Sequence, residues 1–295
     1  MQLRGTQIED TFAEAFRMRY VRLVVTAHDE HWLDAAVREF TGYSSSIISC
    51  DSEIGVERRL SENDTPDGRV GAALLVFGFS AEALATVVPN RTGQCLMTCP
   101  TTAVYDGLSS GETQIALGKT IRYFGDGFQK SKLIGDRRYW RIPVMDGEFV
   151  VEHEVFVDKG VGGGNIILQA ATQTQALAAA RRAIAAIEQV PGVITPFPGG
   201  VARSGSKVGS RYKSLKASTA ELYCPTLRGR VATKLAEGVG AAYEIVIDGI
   251  DEASIARAMA AGIDAAAGPE LIAITAGNYG GKLGKFHFHL RQLVK

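Results

Sequence analysis

The order of predicted strands and helices is the feature that most constrains the fold of this chain. Apolar residues alternate in some segments and recur at helical spacing in others, with turn residues between the segments. In the first half, the predicted elements lie at residues 21–27 (strand), 29–40 (helix), 45–50 (strand), 72–79 (strand), 80–88 (helix) and 95–98 (strand). The order β-α-β-β-α-β is the split βαβ, or ferredoxin-like, pattern, in which both helices cover one face of an antiparallel sheet.

A short helix is predicted ahead of this pattern, over residues 8–16. Thr11 and Glu14 have the spacing of a capping box, and Phe12 and Phe16 lie four residues apart, on one helical face. We therefore expect the first strand of the sheet to begin only after this helix.

The same order recurs in the second half of the chain. The predicted elements lie at residues 165–171 (strand), 175–189 (helix), 193–197 (strand), 242–248 (strand), 251–263 (helix), 271–275 (strand) and 286–290 (strand). Strands and turns at residues 115–159 form an antiparallel excursion that connects the two halves. The predicted fold class is α+β, with two ferredoxin-like lobes: residues 1–146 with the β excursion, and residues 147–295.

Composition limits the classes of function. The chain has 32 basic and 32 acidic residues, so it lacks the net positive charge typical of nucleic-acid binders. Its apolar runs are too short to span a bilayer, and its first residues lack the apolar core of a signal peptide, so we expect a cytoplasmic protein without a membrane segment. Of the four cysteines, only Cys95 and Cys99 lie close together, and free thiols are expected.

Glu244 is an unusual residue in an otherwise apolar predicted strand. Side chains alternate along a strand, so Glu244 and Asp248 point to one face while Tyr243 and Ile245 point to the other. A carboxylate in this position either lies on a solvated face or is held inside a site. A desolvated carboxylate has a raised pKa and can hold or donate a proton near neutral pH.

Several generic motifs do not match. Residues 277–283 resemble a phosphate-binding loop, but Leu283 stands where a Ser or Thr is required. The glycines at residues 160–164 precede a predicted strand, whereas a dinucleotide-binding fingerprint follows one. His287 and His289 share a strand face and form either a metal-binding pair or a surface pair; no third ligand is identified in the sequence.

Seven segments, in order along the chain, together resemble one protein family. They are residues 9–16 (EDTFAEAF), 92–98 (TGQCLMT), 124–127 (FGDG), 196–200 (PFPGG), 206–210 (SKVGS), 223–226 (YCPT) and 276–284 (AGNYGGKLG). They resemble formylmethanofuran:tetrahydromethanopterin formyltransferases, a family that includes the D subunit of the formyltransferase/hydrolase complex of methylotrophs. The resemblance extends from about residue 4 to residue 293.

The resemblance implies a two-lobed cytosolic homotetramer with no metal or prosthetic group. It implies that a formyl group moves between N5 of tetrahydromethanopterin and the amine of methanofuran, or of close analogues, which act as substrates. Subunits of a formyltransferase/hydrolase complex are implied as further partners. Direct attack of one amine on the formyl carbon gives a tetrahedral intermediate, which requires a neutral nucleophile, donors for the oxyanion and a proton for the leaving nitrogen.

Glu244 matches the family's catalytic carboxylate, and we expect it to relay a proton between the two nitrogens. Backbone N–H groups of residues 277–284 and the Asn278 amide are the expected oxyanion donors. Lys207 and Lys282 are expected to hold carboxylates of the glutamate-rich carrier tails, unless they are only surface charges. The complete set of predicted substrate-binding residues is Asn278, Tyr279, Gly280, Gly281, Lys282, Ser206, Lys207, Phe197 and Asn165.

Two other functions remain open at the level of the sequence. The first is a non-catalytic assembly or ligand-binding subunit, since ferredoxin-like lobes also serve such roles. The second is an amide hydrolase that acts on the formyl carrier, a reaction that usually requires an activated water.

Overall fold

The computed structural model describes residues 1–294 and divides the chain into two compact units. Unit 1 contains Met1–Arg17 and the chain from Gly160 onward, and unit 2 is Met18–Lys159. The domain boundary predicted between residues 146 and 147 stays a prediction. In the structure, residues 147–159 group with unit 2, and the N-terminal segment groups with the C-terminal part of the chain.

The strands are β1 (Gln2–Leu3), β2 (Thr6–Ile8), β3 (Phe12–Thr26), β4 (Glu53–Leu60), β5 (Gly71–Gly78), β6 (Ala103–Asp106), β7 (Thr113–Ala116), β8 (Lys130–Ile134), β9 (Arg137–Val144), β10 (Gly147–Glu152), β11 (Glu154–Ala170), β12 (Val193–Ile194), β13 (Ala241–Gly249), β14 (Leu271–Thr275) and β15 (Phe286–His289). The helices are α1 (Glu30–Thr41), α2 (Ala81–Arg91), α3 (Gly118–Ile121), α4 (Gln173–Ile187), α5 (Glu252–Ala266) and α6 (Leu290–Leu293). Among residues 1–294, none of these helices combines the length and the apolar composition that crossing a bilayer requires.

Unit 2 has the β-α-β-β-α-β order, from β3 through α1, β4, β5 and α2 to β6. Its antiparallel sheet runs β6-β3-β5-β4. Leu33 and Phe40 of α1 and Leu84 of α2 are fully buried in its core. The β excursion extends the sheet, because β10 pairs with β6 and is followed by β9 and β8.

Unit 1 repeats this order in β11, α4, β12, β13, α5 and β14, and its antiparallel sheet runs β14-β11-β13-β12. The prediction of two ferredoxin-like lobes is therefore confirmed. The N-terminal β2 adds to this sheet beside β14, and β15 pairs with the start of β3. Three of the predicted helices begin with a cap: the side chains of Asp29, Ser80 and Asp251 each accept a backbone N–H three residues onward.

The helix predicted over residues 8–16 is wrong, since β3 begins at Phe12. Two long-range interactions outweigh the local capping pattern. Residues 12–15 pair with β15, and the carboxylate of Glu14 binds backbone N–H groups far away in sequence instead of capping a helix.

Two strands of unit 2 were predicted at the wrong positions. The second strand is β4, not residues 45–50, because Glu57 and the arginines beside it give a largely polar strand that looks like a loop. The fourth is β6, not residues 95–98. A π-helical turn, Thr92–Leu96, instead continues α2 through the apolar run that includes Cys95.

Candidate functional site

The central strands of unit 1 carry buried polar side chains on one face. Ile167 of β11 lies opposite Glu244 of β13 and Thr275 of β14, so these three side chains share a face. Asn165 and Gln169, two residues to either side of Ile167, point to the same face and are buried. The other face carries an apolar core over which α4 and α5 pack. The predicted alternation around Glu244 is therefore observed.

Glu244 is 6% exposed, and Ser206 contacts both oxygens of its carboxyl group. The Ser206 backbone N–H donates to Oε2 over 2.6 Å, and the Ser206 hydroxyl donates to Oε1 over 2.8 Å. Burial raises the pKa of Glu244, and the two donors of Ser206 only partly offset this effect. The net effect keeps Glu244 protonated to higher pH than an ordinary carboxyl group.

The segment of residues 199–237 places Ser206 over the polar face. Its backbone is attached to β13 at Ala202, whose N–H donates to the Glu244 carbonyl over 2.8 Å. The turn before Ser206 requires glycine. Gly205 has φ +72°, and a Cβ there would lie 2.4 Å from the Cβ of Ala220.

A second carboxylate, Glu14, organises the loop of residues 277–284. Its Oε2 accepts the N–H of Tyr279 over 2.7 Å and that of Gly281 over 2.9 Å. Its Oε1 accepts the N–H groups of Leu283 and Gly284. Burial acts to raise the pKa of Glu14, but the four N–H bonds outweigh it, so the pKa is lowered and the group is held as an anion.

Two tyrosines lie near Glu244. The Tyr279 hydroxyl accepts the Val208 N–H over 2.8 Å and is 3.4 Å from the Ser206 carbonyl. Burial raises the pKa of Tyr279, and it raises the pKa of Tyr223, whose hydroxyl bonds to Thr275, to about 12. Both side chains therefore remain protonated donors at neutral pH.

The two asparagines of the predicted site hold backbone in place. Asn165 accepts the Gly277 N–H over 2.6 Å and donates to the carbonyls of Gly163 and Gly277. The Asn278 amide donates to the Thr11 hydroxyl and the Phe12 carbonyl. The Gly280 N–H donates to the Asn278 side chain, and other N–H groups of the loop donate to Asn165 and Glu14. Most of the donors predicted to bind an oxyanion are thus already engaged with the protein.

The two predicted tail-binding lysines differ in their surroundings. Lys207 forms an ion pair with Glu221, with its Nζ 2.7 Å from both carboxylate oxygens. Lys282 is exposed, and it makes no ion pair with any of residues 1–294. Phe197 is half-buried, and its carbonyl accepts the Gly200 N–H in a local turn. The structure thus brings Glu244, Ser206 and Tyr279 together in one hydrogen-bonded group. Lys207, Lys282 and Phe197 lie outside that group.

The rings of His287 and His289 both lie close to the Phe12 ring, with centroids 5.0 and 5.3 Å from its centroid. Both are exposed and border an open groove of about 400 Å³ beside Glu252. Within residues 1–294, no group of three or more His, Cys, Asp or Glu side chains is arranged to hold a metal ion.

Glu14 and Tyr223 were not predicted as part of the site, although each belongs to a segment that carries the family resemblance. In the sequence, Glu14 has the spacing of a capping box with Thr11, which hides its role in the site. Tyr223 belongs to the YCPT segment, which contributes to the family resemblance but does not indicate a function for this residue.

Together these features define a two-lobed α+β protein with a protonatable carboxyl group under a serine- and tyrosine-bearing cover. Residues 1–144 match the family model described as formylmethanofuran-tetrahydromethanopterin formyltransferase, and residues 147–293 match that of its proximal lobe. The chain belongs to this family, as the resemblance predicted.

Relatives match over the full length of the chain. The formyltransferase of Methylococcus capsulatus is 52% identical, with 100% of both chains covered. The D subunit of the formyltransferase/hydrolase complex of Methylorubrum extorquens is 47% identical, covering 99% of this chain and 97% of that one.

Two solved structures share the fold. The Methanosarcina barkeri formyltransferase has a TM-score of 0.94 at 43% identity, covering 99% of this chain and 100% of that one. The Methylorubrum extorquens complex, solved with methylofuran, contains a chain with a TM-score of 0.96 at 46% identity, covering 100% and 99%.

Proposed function

We propose that this chain is an acyltransferase that moves a formyl group between N5 of tetrahydromethanopterin, or a close analogue, and the amine of methanofuran or a methylofuran-type analogue. The observation that carries the proposal is the buried Glu244, held by Ser206 in a full-length member of the formyltransferase family. The names of the relatives supply the two carriers.

The reaction exchanges one C–N bond for another. The neutral acceptor nitrogen attacks the formyl carbon, and the carbonyl oxygen becomes an oxyanion in a tetrahedral intermediate. The attacking nitrogen then loses a proton, the leaving nitrogen gains one, and the original C–N bond breaks. Protons are therefore neither consumed nor released overall, and no oxidant or reductant is needed.

Glu244 is the proposed proton relay. A carboxyl group with a raised pKa can donate to the leaving nitrogen and accept from the attacking one within a single turnover. A well-placed acid–base group supplies roughly 10²–10⁴-fold in rate. Orientation of both carriers next to it supplies a further part of the acceleration.

The oxyanion is proposed to bind hydroxyl donors. The Tyr279 hydroxyl lies near Glu244, and a raised pKa keeps it protonated. The Ser206 hydroxyl donates its one hydrogen to Glu244, so it can bind the oxyanion only after turning away from that carboxyl group. The Asn278 amide can take this part only by leaving Thr11 and Phe12. Gly280, Gly281 and Asn165 then contribute by fixing the loop beside the carriers.

Carrier tails are proposed to bind at Lys282 and, after exchange with Glu221, at Lys207. Lys282 is exposed and has no ion-pair partner within residues 1–294, so its ammonium group is more accessible than that of Lys207, which pairs with Glu221. Phe197 remains a proposed carrier contact. The carriers act as substrates in this scheme, and no prosthetic group is part of it.

We also propose a cytoplasmic homo-oligomer, with a tetramer as the expected state, and association with hydrolase subunits. The last proposal is supported by the name of the Methylorubrum extorquens relative, which is one subunit of a complex. The same name supports a second candidate function, the non-catalytic assembly or ligand-binding subunit. In this platform function, the chain binds the carriers and a partner subunit carries out the chemistry.

Formyl transfer by the purified chain alone tests the proposal. Formyl-tetrahydromethanopterin is supplied with a furfurylamine-type acceptor, and loss of the formyl-pterin is followed. Transfer without partners supports the enzyme. If the folded chain transfers no formyl group, either alone or with hydrolase subunits added, the proposed formyltransferase activity is contradicted. Activity that appears only after these subunits are added would favour the platform function.

A further inference from the structure

Glu14 is a buried carboxylate that has no cationic partner among the residues that the structure describes. It is 1% exposed, and no Lys, Arg or His side chain of residues 1–294 forms an ion pair with it. A buried anion is tolerated only where donors replace its hydration. Here four backbone N–H groups of one loop do so, which makes Glu14 the centre on which that loop is built.

The loop has little other structure of its own. It contains no helix or strand between β14 and β15, and Gly280 and Gly281 have φ values of +71° and +73°. With this backbone, the N–H groups of Tyr279 and Gly281 both reach Glu14, while that of Gly280 between them donates to the Asn278 side chain. The hydrogen bonds to Glu14 thus hold the backbone of this loop in place, as the hydrogen bonds to a neighbouring strand hold a β-strand.

A short series of contacts leads from Glu14 to Glu244. The Tyr279 N–H is held by Glu14, and the Tyr279 hydroxyl contacts the backbone at Val208 and Ser206. Ser206 in turn contacts both oxygens of the Glu244 carboxyl group. Every member of this series lies in unit 1.

We infer that Glu14 is a positioning residue for formyl transfer, which sets the contact between Ser206 and Glu244 through the loop and the Tyr279 hydroxyl. The inference rests on the proposed function. Its consequence is that a change at Glu14 alters the proton affinity of Glu244, although the two carboxylates do not touch.

Glu14→Gln tests the series with little change in size. One side of the glutamine still accepts two N–H groups, but its NH₂ group opposes the other two. The loop should loosen, and the Ser206 donors, which favour the ionised form of Glu244, should weaken. The pKa of Glu244 should therefore rise, and turnover should fall roughly 10- to 100-fold, as misplacement of reacting groups by about 1 Å does.

The decisive readout is titration of Glu244 by ¹³C NMR of labelled glutamate carboxyl groups, with the resonance assigned by its loss in Glu244→Gln. The other titratable groups next to these carboxylates are Tyr279 and Tyr223 near Glu244, and His287 opposite Glu14 on β15. The tyrosines stay protonated in the range measured, and His287→Gln provides a background in which the imidazole does not titrate.

The matched control is Glu57→Gln, which changes a buried carboxylate of unit 2 that pairs with Arg22. It should leave the Glu244 titration unchanged. Turnover adds a second test: if Glu14 acts through Glu244, then Glu14→Gln should slow the wild type but add little to Glu244→Gln.

If Glu14→Gln does not fold, Tyr279→Phe removes only the hydroxyl that connects the loop to residues 206–208, and it should raise the pKa of Glu244 in the same direction. An unchanged Glu244 titration in the folded variant would overturn the inference. The titration does not depend on activity. A chain that transfers no formyl group would contradict the proposed function, but the titration would still show whether Glu14 affects the pKa of Glu244.

Discussion

Ser206 donates both its backbone N–H and its hydroxyl to the carboxyl group of Glu244, over 2.6 and 2.8 Å. The two bonds favour the ionised form of Glu244, while burial favours the neutral form and prevails. Glu244 therefore stays protonated to higher pH than an ordinary carboxyl group, and the two Ser206 donors stabilise the anion that forms when it gives up the proton.

Ser206→Ala removes one of the two donors and keeps the backbone N–H. The pKa of Glu244 should rise, so the corresponding limb of the kcat/KM profile should move to higher pH. Turnover should fall about tenfold, equivalent to ~1.4 kcal/mol. Ser204→Ala, which removes an exposed hydroxyl from the same segment, is the control and should leave the profile unchanged.

Gly205→Ala should displace Ser206, whereas Gly209→Ala should not. Both glycines have positive φ, +72° and +89°, so both substitutions should cost about 1–2 kcal/mol in backbone strain. Only the Cβ at residue 205 meets a neighbour, at 2.4 Å, whereas none lies within 4 Å of one at residue 209. Measuring both turnover and thermal stability separates the backbone strain from the clash with Ala220. Equal losses of turnover in both variants would show that the clash at residue 205 does not affect the site.

Lys282→Ala should weaken binding of a carrier with a carboxylate tail but not of its tailless furfurylamine analogue. The KM for the tailed carrier should rise about three- to tenfold at low salt, and the difference should shrink as salt screens the charge. Lys285→Ala, also exposed, is the control. A KM that rises equally for both acceptors would show that Lys282 does not bind the tail.

Unit 2 should become less stable as the pH rises through the range in which Asp106 ionises. Burial raises the pKa of Asp106 to about 6, above its usual value of 3.8. The folded state therefore binds the proton more tightly, and its advantage below the unfolded pKa is lost as the pH rises through the folded pKa. From roughly pH 4 to pH 7 the change is about 2 kcal/mol for this group.

Tryptophan fluorescence can follow this change, because Trp32 and Trp140 both lie in unit 2. Urea unfolding at several pH values should show a stability difference between the wild type and Asp106→Asn that depends on pH. Burial lowers the pKa of His153, so this residue makes the folded state more stable as the pH rises. Its contribution is present in both proteins, and the comparison of the two removes it. A difference that stays constant across the range would contradict the assignment.

The sequence predicts unit 1 best where periodicity is strong. Alternation around Glu244 gave the buried face, and the β-α-β-β-α-β order gave both sheets. Periodicity failed at Glu14, where a helix-capping pattern competed with partners more than 260 residues away. It also gave no position for Ser206, since residues 199–237 lack a regular pattern and are held by single contacts such as that of Ala202. Such contacts exist only in the folded chain.

The measurement that tests the central claim most directly is formyl transfer by Glu244→Gln beside the wild type. Glutamine keeps the shape and neutral charge of the protonated carboxyl group but cannot exchange a proton. We predict that turnover falls by about 10²–10⁴-fold, while the thermal unfolding temperature and carrier binding change little. A folded variant that retains near wild-type turnover would contradict the role of Glu244 as the proton relay.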